Sequence, residues 1–100
     1  MKLSIVIVNW NAEKLLRECL ASLAANVKGF GIEIIVVDNA SQDGSVSMVR
    51  REFPQVSLLE NLENLGFAKA NNQGIKKASG EYVLLLNNDA IIDNKAVLEG

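Results

Sequence analysis

The stretch "IEIIVVDNASQDGSVSMVRREF" (residues 32–53) combines an apolar run, a turn and an amphipathic segment. Its opening residues are mostly β-branched and apolar, which is typical of a strand buried on both faces of a sheet. "NASQDGS" is rich in turn-forming residues, and Ser41 or Asp43 is placed to cap the helix that follows. Pro54 ends that helix. The stretch therefore predicts one β–α unit of an α/β fold.

The same alternation extends in both directions along the chain. Apolar β-branched runs predict strands at 3–8, 32–38, 56–60 and 81–87, and helical spacing predicts helices at 12–25, 45–53 and 67–79. Asn11 is the predicted N-cap of the first helix, and Gly80 the predicted C′ residue of the third. The order β-α-β-α-β-α-β predicts a mostly parallel sheet of about four strands flanked by helices.

Length and composition exclude several classes of protein. One hundred residues predict a single domain, and a net charge of −2 gives no footprint for nucleic acid. One cysteine and no histidine exclude an intrachain disulfide, a Cys₂His₂ zinc site and a Ser-His-Asp triad within this sequence. Cys19 lies among leucines and is predicted to be a core thiol. No segment is long and apolar enough to predict a membrane span, so we expect a cytoplasmic protein.

Polar side chains follow the predicted strands where each one ends. Because the carboxyl ends of parallel strands meet at one edge of a sheet, these residues should converge on a site for a polar ligand. Taken singly, each residue also fits a plain structural role as a turn, cap or edge-covering residue. The converging residues are Asn9, Trp10, Asn11, Asp38, Asn39, Asn61, Asn64, Asn87, Asn88 and Asp89.

The third predicted helix contains residues that weaken a helix. Asn71 and Asn72 are mediocre helix formers, and Gly74 costs up to about 1 kcal/mol against alanine. Gly74 is expected to let the helix pack closely on the sheet. Asn71 or Asn72 is expected to hydrogen-bond to the loops at the strand ends.

Three segments together resemble the N-terminal half of family 2 glycosyltransferases, which are inverting enzymes with a GT-A fold. The likeness is strongest to the rhamnosyltransferase-like and cell-wall polysaccharide branch. The segments cover nearly the whole chain in order, and they are "SIVIVNWN" (4–11), "IIVVDNASQDGS" (34–45) and "NLGFAKANNQGIKKASGEYVLLLNND" (64–89).

The resemblance implies a role for each residue. Asn9, Trp10 and Asn11 would line the base and ribose, and Asp38 would accept a hydrogen bond from a pyrimidine N–H. The D-x-D motif of the family falls on residues 87–89, so Asp89 would bind a divalent metal, Mg²⁺ or Mn²⁺. Asn87 stands where many relatives have aspartate; its amide can still bind ribose, with less negative charge near the metal. The full predicted nucleotide-binding set is Asn9, Trp10, Asn11, Asp38, Asn39, Asn71, Asn87 and Asn88.

The implied activity is metal-dependent transfer of a sugar from a nucleotide-sugar donor, with UDP and dTDP sugars expected. The acceptor would be a saccharide or a lipid-linked molecule of polysaccharide or cell-envelope biosynthesis. The catalytic base would lie in the second half of the fold, so no catalytic residue is predicted here. The chain would then be an N-terminal fragment that binds nucleotide without transferring sugar. Surface left uncovered would favour self-association, and missing parts would provide any peripheral contact with the inner face of the membrane.

Three alternatives stay open at the level of the sequence. A nucleotidyltransferase also combines an α/β sheet with nucleotide and metal, but usually carries a glycine-rich loop with a basic residue where "NWNAEK" (9–14) stands. A receiver-like, non-catalytic α/β module usually has an acidic pair after its first strand. The third alternative is a degenerate transferase that only binds its nucleotide.

Overall fold

The structure, a computed structural model, describes residues 2–26 and 31–90. Within them, all seven predicted elements are present in the predicted order. The largest difference in their bounds is at the end of the third helix, which stops at Lys77 instead of residue 79. The elements are β1 (Lys2–Asn9), α1 (Glu13–Asn26), β2 (Gly31–Asp38), α2 (Ser45–Glu52), β3 (Ser57–Glu60), α3 (Phe67–Lys77) and β4 (Tyr82–Leu86).

The four strands form one parallel sheet in the order β3-β2-β1-β4. The chain therefore builds outward from β1 through β2 to β3, and then crosses to the other side of β1 to add β4. The pairing of β1 with β2 extends from Lys2↔Gly31 to Asn9↔Asp38, whereas its pairing with β4 ends at Ile7↔Leu86. The space beyond the carboxyl ends of β1 and β4 is the point where the strand order reverses, which is where ligands bind in open α/β sheets.

Helices cover both faces of the sheet. Alternate residues of β1 divide between two cores, with Ile5 and Ile7 against α1 and α2, and Val6 and Val8 against α3. The α1/α2 side holds most of the buried apolar side chains: Leu16, Cys19, Leu20, Leu23, Met48, Val49 and Phe53.

The prediction for Gly74 is confirmed. A Cβ at this position would lie 2.3 Å from Cγ1 of Val6 in β1, so only glycine lets α3 approach the sheet this closely. The residues described include no helix with the length and apolar character needed to cross a membrane.

The predicted role of Gly80 at the end of α3 is wrong. Ala78 is the C-cap of α3, and among the described glycines only Gly66 has a positive φ. A Cβ on Gly80 would instead lie 2.7 Å from both the backbone nitrogen and Oγ of Ser4. Glycine is required here because the loop before β4 passes directly against β1.

The predicted N-cap of α1 is also wrong. Asn11 has a left-handed backbone (φ 48°), and its Oδ1 accepts a hydrogen bond from the amide of Gln42 at 2.7 Å. The amide of Glu13 instead donates to Oδ2 of Asp43 at 3.1 Å. Oδ1 of Asp43 accepts the amide of Ser45 at 2.9 Å, so one carboxylate caps the amino ends of both α1 and α2.

This double cap changes the acidity of Asp43. Burial raises the pKa of the Asp43 carboxyl, but hydrogen bonds from the side chain and amide of Ser45 and the amide of Glu13 outweigh it and lower the pKa below its usual range. The charged form is favoured because it faces two helix amino ends.

Strand β4 forms one edge of the described sheet and is unusually exposed. Tyr82, Val83, Leu84 and Leu85 are 41 to 57% exposed, and successive residues of a strand face opposite sides. Both faces of β4 therefore present apolar surface.

Candidate functional site

A cavity of about 440 Å³ opens at the carboxyl edge of the sheet, beyond the ends of β1 and β4. This volume lies in the range typical of small-molecule sites. The lining combines carboxamides, two aromatic rings and one carboxylate, and consists of Val8, Trp10, Asn39, Asn64, Gly66, Phe67, Asn87, Asn88 and Asp89.

Strand alternation decides which strand-end residues reach the cavity. Val8 and Trp10, two residues apart on the α3 side, both line it, whereas Asn9 between them is 0% exposed and lies outside the lining. The same alternation separates Asn39, which lines the cavity, from Asp38, which does not. The cavity is therefore on the α3 side of the sheet edge.

Of the nine residues predicted to bind nucleotide or metal, five line the cavity: Trp10, Asn39, Asn87, Asn88 and Asp89. Asn64, predicted to converge on this edge, lines it as well. The structure places four others outside the lining. Asn9 and Asp38 are buried beneath the edge, Asn11 binds the loop after β2, and Asn71 is buried in α3 with 6% exposure. Direct nucleotide contacts by these four stay predictions.

A buried polar network lies under the cavity at the ends of β1 and β2. Nδ2 of Asn9 donates to Oδ1 of Asp38 at 3.0 Å, and Oγ of Ser41 donates to the same oxygen at 2.7 Å. Oδ2 of Asp38 accepts the amide of Ser41 at 2.8 Å. On the other side, Oδ1 of Asn9 accepts Nδ2 of Asn88 at 3.0 Å. The network joins the ends of β1 and β2 to the loop after β4.

A second network positions the amino end of α3. Asn39 donates through Nδ2 to the carbonyl of Gly66 at 3.2 Å and accepts Nδ2 of Asn61 at 2.9 Å. Asn61 also exchanges two hydrogen bonds, of 2.8 and 2.9 Å, with Gln73 of α3. These contacts hold Gly66 and Phe67 at the rim of the cavity.

Two residues at this edge were not predicted from the sequence, Gln73 and Phe67. Gln73, which follows Asn71 and Asn72 in α3, provides the described bridge from α3 to the loop after β3. Phe67, 60% exposed, forms the rim together with Trp10, 55% exposed. The signal for Phe67 in the sequence is an aromatic residue directly after a glycine at the predicted start of the third helix. The structure gives that glycine, Gly66, a positive φ, which fixes how the chain enters the helix.

Asp89 is the one acidic residue among the described residues that line the cavity, so whether this site suits a metal ion depends on Asp89. Within residues 2–26 and 31–90 no group of three His, Cys, Asp or Glu side chains is arranged to hold a metal by protein ligands alone. Mg²⁺ commonly binds through one or two carboxylates together with phosphate oxygens of a substrate. Asp89, with amide oxygens of Asn87 and Asn88 nearby, fits that second kind of site.

The prediction that Cys19 is a core thiol is confirmed. It is 0% exposed, and burial raises its pKa to about 11, with a further contribution from the negative charge of Asp89. The thiol therefore stays neutral and unreactive at physiological pH.

Comparison with known proteins places this architecture in the GT-A class. The structure of Staphylococcus aureus TarS residues 1–349 superposes with a TM-score of 0.86 at 30% identity, covering 99% of this chain and 31% of that one. TarS has also been solved in complexes with UDP and with UDP-GlcNAc. A mannosyltransferase from Pyrobaculum calidifontis, in complex with GDP-Man and Mn²⁺, superposes with a TM-score of 0.80 at 31% identity and covers 90% of this chain and 28% of that one.

The family model described as "Glycosyl transferase family 2" matches residues 4–99, so the chain belongs to that family. A poly(ribitol-phosphate) beta-glucosyltransferase of Bacillus spizizenii is 38% identical over 98% of this chain and 16% of its own length. The chain thus spans about one sixth of that relative. Membership of this family excludes two of the alternatives that the sequence left open, the nucleotidyltransferase and the receiver-like module.

Proposed function

We propose that this chain binds the nucleotide-sugar donor in a metal-dependent, inverting glycosyltransferase. The donor is a UDP or dTDP sugar, and the acceptor is a saccharide or lipid-linked polymer of the cell envelope, at the cytoplasmic face of the membrane. The catalytic base belongs to another part of the protein. The observation that carries the proposal is the cavity at the reversal of strand order, with an aromatic rim, an amide lining and a single acid, Asp89.

The charge of the lining supports a role for a metal. Among the residues described around the cavity, the ionisable one is Asp89, and lysine and arginine are absent. A phosphate about 5 Å from a carboxylate is repelled by about 3 kcal/mol at an effective dielectric constant near 20. A divalent cation between them turns that repulsion into attraction, and would offset the charge of the departing nucleoside diphosphate.

The start of α3 supports the phosphate end of the site. Gly66 lines the cavity directly before the first residue of this helix, and the amino end of the helix carries a partial positive charge of about half an elementary unit. Backbone N–H groups at such an end suit an anion. The diphosphate would therefore lie between this helix end and the metal on Asp89.

The aromatic rim of the cavity, Trp10 and Phe67, supports the proposal that the nucleoside binds here. Trp10 and Phe67 are more than half exposed, and a planar base gains contact with such rings by stacking. TarS, similar over 99% of this chain, has been solved with UDP-GlcNAc, which favours a uridine donor.

The test uses Trp10 as a reporter, because it is the single tryptophan of the chain. Emission excited beyond nucleotide absorption is titrated with UDP, dTDP, GDP and ADP, each with and without Mg²⁺. We expect UDP or dTDP to change the emission strongly only with Mg²⁺, and ADP to act most weakly. A control protein carries W10F with Y82W, which moves the reporter to the opposite end of the sheet, and its emission should stay constant. A folded wild-type chain that responds to none of the four nucleotides would contradict the proposal.

A further inference from the structure

The buried end of β1 contains an amide whose orientation is fixed by its partners. Asn9 is 0% exposed, and its Nδ2 lies 3.0 Å from Oδ1 of Asp38 while its Oδ1 lies 3.0 Å from Nδ2 of Asn88. A carboxylate only accepts hydrogen bonds, so the nitrogen of Asn9 must face Asp38 and its oxygen must face Asn88. Each half of the amide thus serves a different strand end.

The hydrogen bond between Asn9 and Asn88 lies beyond the last paired residues of β1 and β4, where strand pairing no longer positions the loop after β4. The ladder between β1 and β4 ends at Ile7↔Leu86. Asn88 follows two residues later and stands next to Asp89, and its side chain donates across to Asn9. This hydrogen bond therefore ties the acid-bearing loop to β1 beyond the last ladder pair.

The bond to Asp38 orients a carboxylate that has spare acceptor capacity. Its Oδ1 accepts Asn9 and Oγ of Ser41, whereas its Oδ2 accepts the amide of Ser41 in the contacts described. A carboxylate can accept about four hydrogen bonds. Asn9 and Ser41 fix the orientation of the carboxylate. The lone pair of Oδ2 that accepts no described hydrogen bond therefore points in a fixed direction.

We propose that Asn9 is a positioning residue that couples the two halves of the nucleotide site, by fixing Asp38, which the sequence predicts to bind the base, and the Asn88 loop, which precedes the predicted metal ligand Asp89. The inference rests on the proposed function. Because Asn9 has no exposed surface, it acts on a ligand through Asp38 and Asn88, and through Ser41, which itself binds Asp38.

Two substitutions separate the two halves of the amide. N9A removes both of these hydrogen bonds, together with the longer one of 3.3 Å from Nδ2 to Oγ of Ser41. N9D keeps an oxygen that accepts from Asn88. Two adjacent buried carboxyls share a proton, so N9D is measured at a pH high enough to remove that proton, where its other oxygen replaces the donor to Asp38 with a second acceptor. The matched control is S4A at the other end of β1, where Ser4 is equally buried and donates to Glu33 at 2.7 Å.

The experiment measures the affinity of each folded variant for uridine and for UDP with and without Mg²⁺, by Trp10 emission. In N9A we expect uridine to bind more weakly and UDP with Mg²⁺ to lose about 10- to 100-fold in affinity, as for other residues that orient a metal-binding group. In N9D we expect the uridine loss, with the gain produced by Mg²⁺ retained. S4A should unfold at a lower temperature but bind both ligands within about twofold of wild type, since the two hydrogen bonds that it removes, to Glu33 and from Gly80, lie far from the cavity.

Two results would overturn the role of Asn9. One is wild-type affinity in N9A; the other is an equal loss in N9A and S4A, which would mean that loosening the fold explains both. A wild-type chain that binds no nucleotide would overturn the proposed function and this inference with it. Wild-type binding together with unaltered binding by N9A overturns only the inference.

Discussion

The pair of central strands, β1 and β2, contains a polar bridge at each end, and the two bridges differ in what surrounds them. At the amino end, Ser4 and its register partner Glu33 are joined by a 2.7 Å hydrogen bond. At the carboxyl end, Asn9 and its register partner Asp38 are joined at 3.0 Å. Both bridges link a buried side chain of β1 to an acid of β2.

The amino-end bridge is closed by the chain that leads into β4. Glu33 also accepts the amide and hydroxyl of Ser79, at 3.0 and 3.2 Å, and Ser4 accepts the amide of Gly80 at 2.9 Å. The carboxyl-end bridge lies beneath a cavity of about 440 Å³ with Trp10 at its rim. The same type of bridge stabilises the fold where the chain fills the space above it, and supports a site where that space stays open.

The largest expected effect is on metal-dependent binding at the carboxyl end. D89N removes the carboxylate of the cavity lining while keeping the size of the side chain. We expect the affinity for UDP with Mg²⁺ to fall about 100-fold, or about 2.7 kcal/mol, measured by Trp10 emission. E18Q, at an exposed position of α1, should bind as wild type does. An unchanged gain from Mg²⁺ in D89N would show that the metal is not held by Asp89.

The next effect is on stability at the amino end. G80A places a Cβ 2.7 Å from the backbone of Ser4, and strand β1 cannot move aside without disturbing the sheet. We expect a loss of about 2 kcal/mol in the free energy of unfolding, as for other overpacked positions, with nucleotide affinity unchanged. Urea unfolding measures the loss, and K77A, an exposed change on the last turn of α3, is the control. A wild-type midpoint for G80A would show that this contact is not tight.

A smaller effect is expected at Asp43, which is near the carboxyl edge but outside the cavity lining. D43A removes the acceptor shared by α1 and α2 and should lower the free energy of unfolding by about 1 kcal/mol. Nucleotide affinity should stay the same, because Asp43 caps helices and contacts no lining residue in the bonds described. Q42A is the control, since the backbone of Gln42 keeps its bond to Asn11. Weaker UDP binding by D43A would extend the site to the helix caps.

The smallest effect concerns pH and Glu33. The amide of Ser79 and then the hydroxyl of Ser4 lower the pKa of the Glu33 carboxyl, against an opposing effect of burial. A carboxyl with a lowered pKa stabilises the fold above its usual pKa and loses that contribution as the pH falls through the folded-state value.

E33Q should therefore melt about 3 °C below wild type at pH 7, and the difference should shrink as the pH falls below the usual range of a glutamate. Thermal unfolding, followed by circular dichroism at pH 7 and at a pH below the usual pKa of a glutamate, measures this difference in melting temperature. E81Q, at an exposed position directly before β4, is the control. A difference that stays constant with pH would mean that the charge of Glu33 does not contribute.

The sequence was sufficient for the order of the elements and for the edge at which the site lies. β-Branched runs and helical spacing are local signals, and parallel strands bring their carboxyl ends together whatever the details of packing. Gly74 was also predicted correctly, because a glycine inside a helix that packs on a sheet has few other uses.

The roles of single residues depended on long-range packing. Gly80 was misassigned because its neighbour Ser4 is 76 residues away in the chain. Asn11 was misassigned because Asp43, from another element, caps α1 in its place. The division between Asn9 and Trp10 follows from strand alternation, but only the position of α3 shows which side of the sheet carries the cavity.

A single NMR titration compares the two ends of the sheet. Backbone amide shifts of the ¹⁵N-labelled chain are recorded while UDP and Mg²⁺ are added. We expect shifts at Trp10, Asn39, Asn88 and Asp89, and none at Ser4, Glu33 and Ser79. Shifts at the amino end, or no shifts in a chain that gives a folded spectrum, would contradict this prediction.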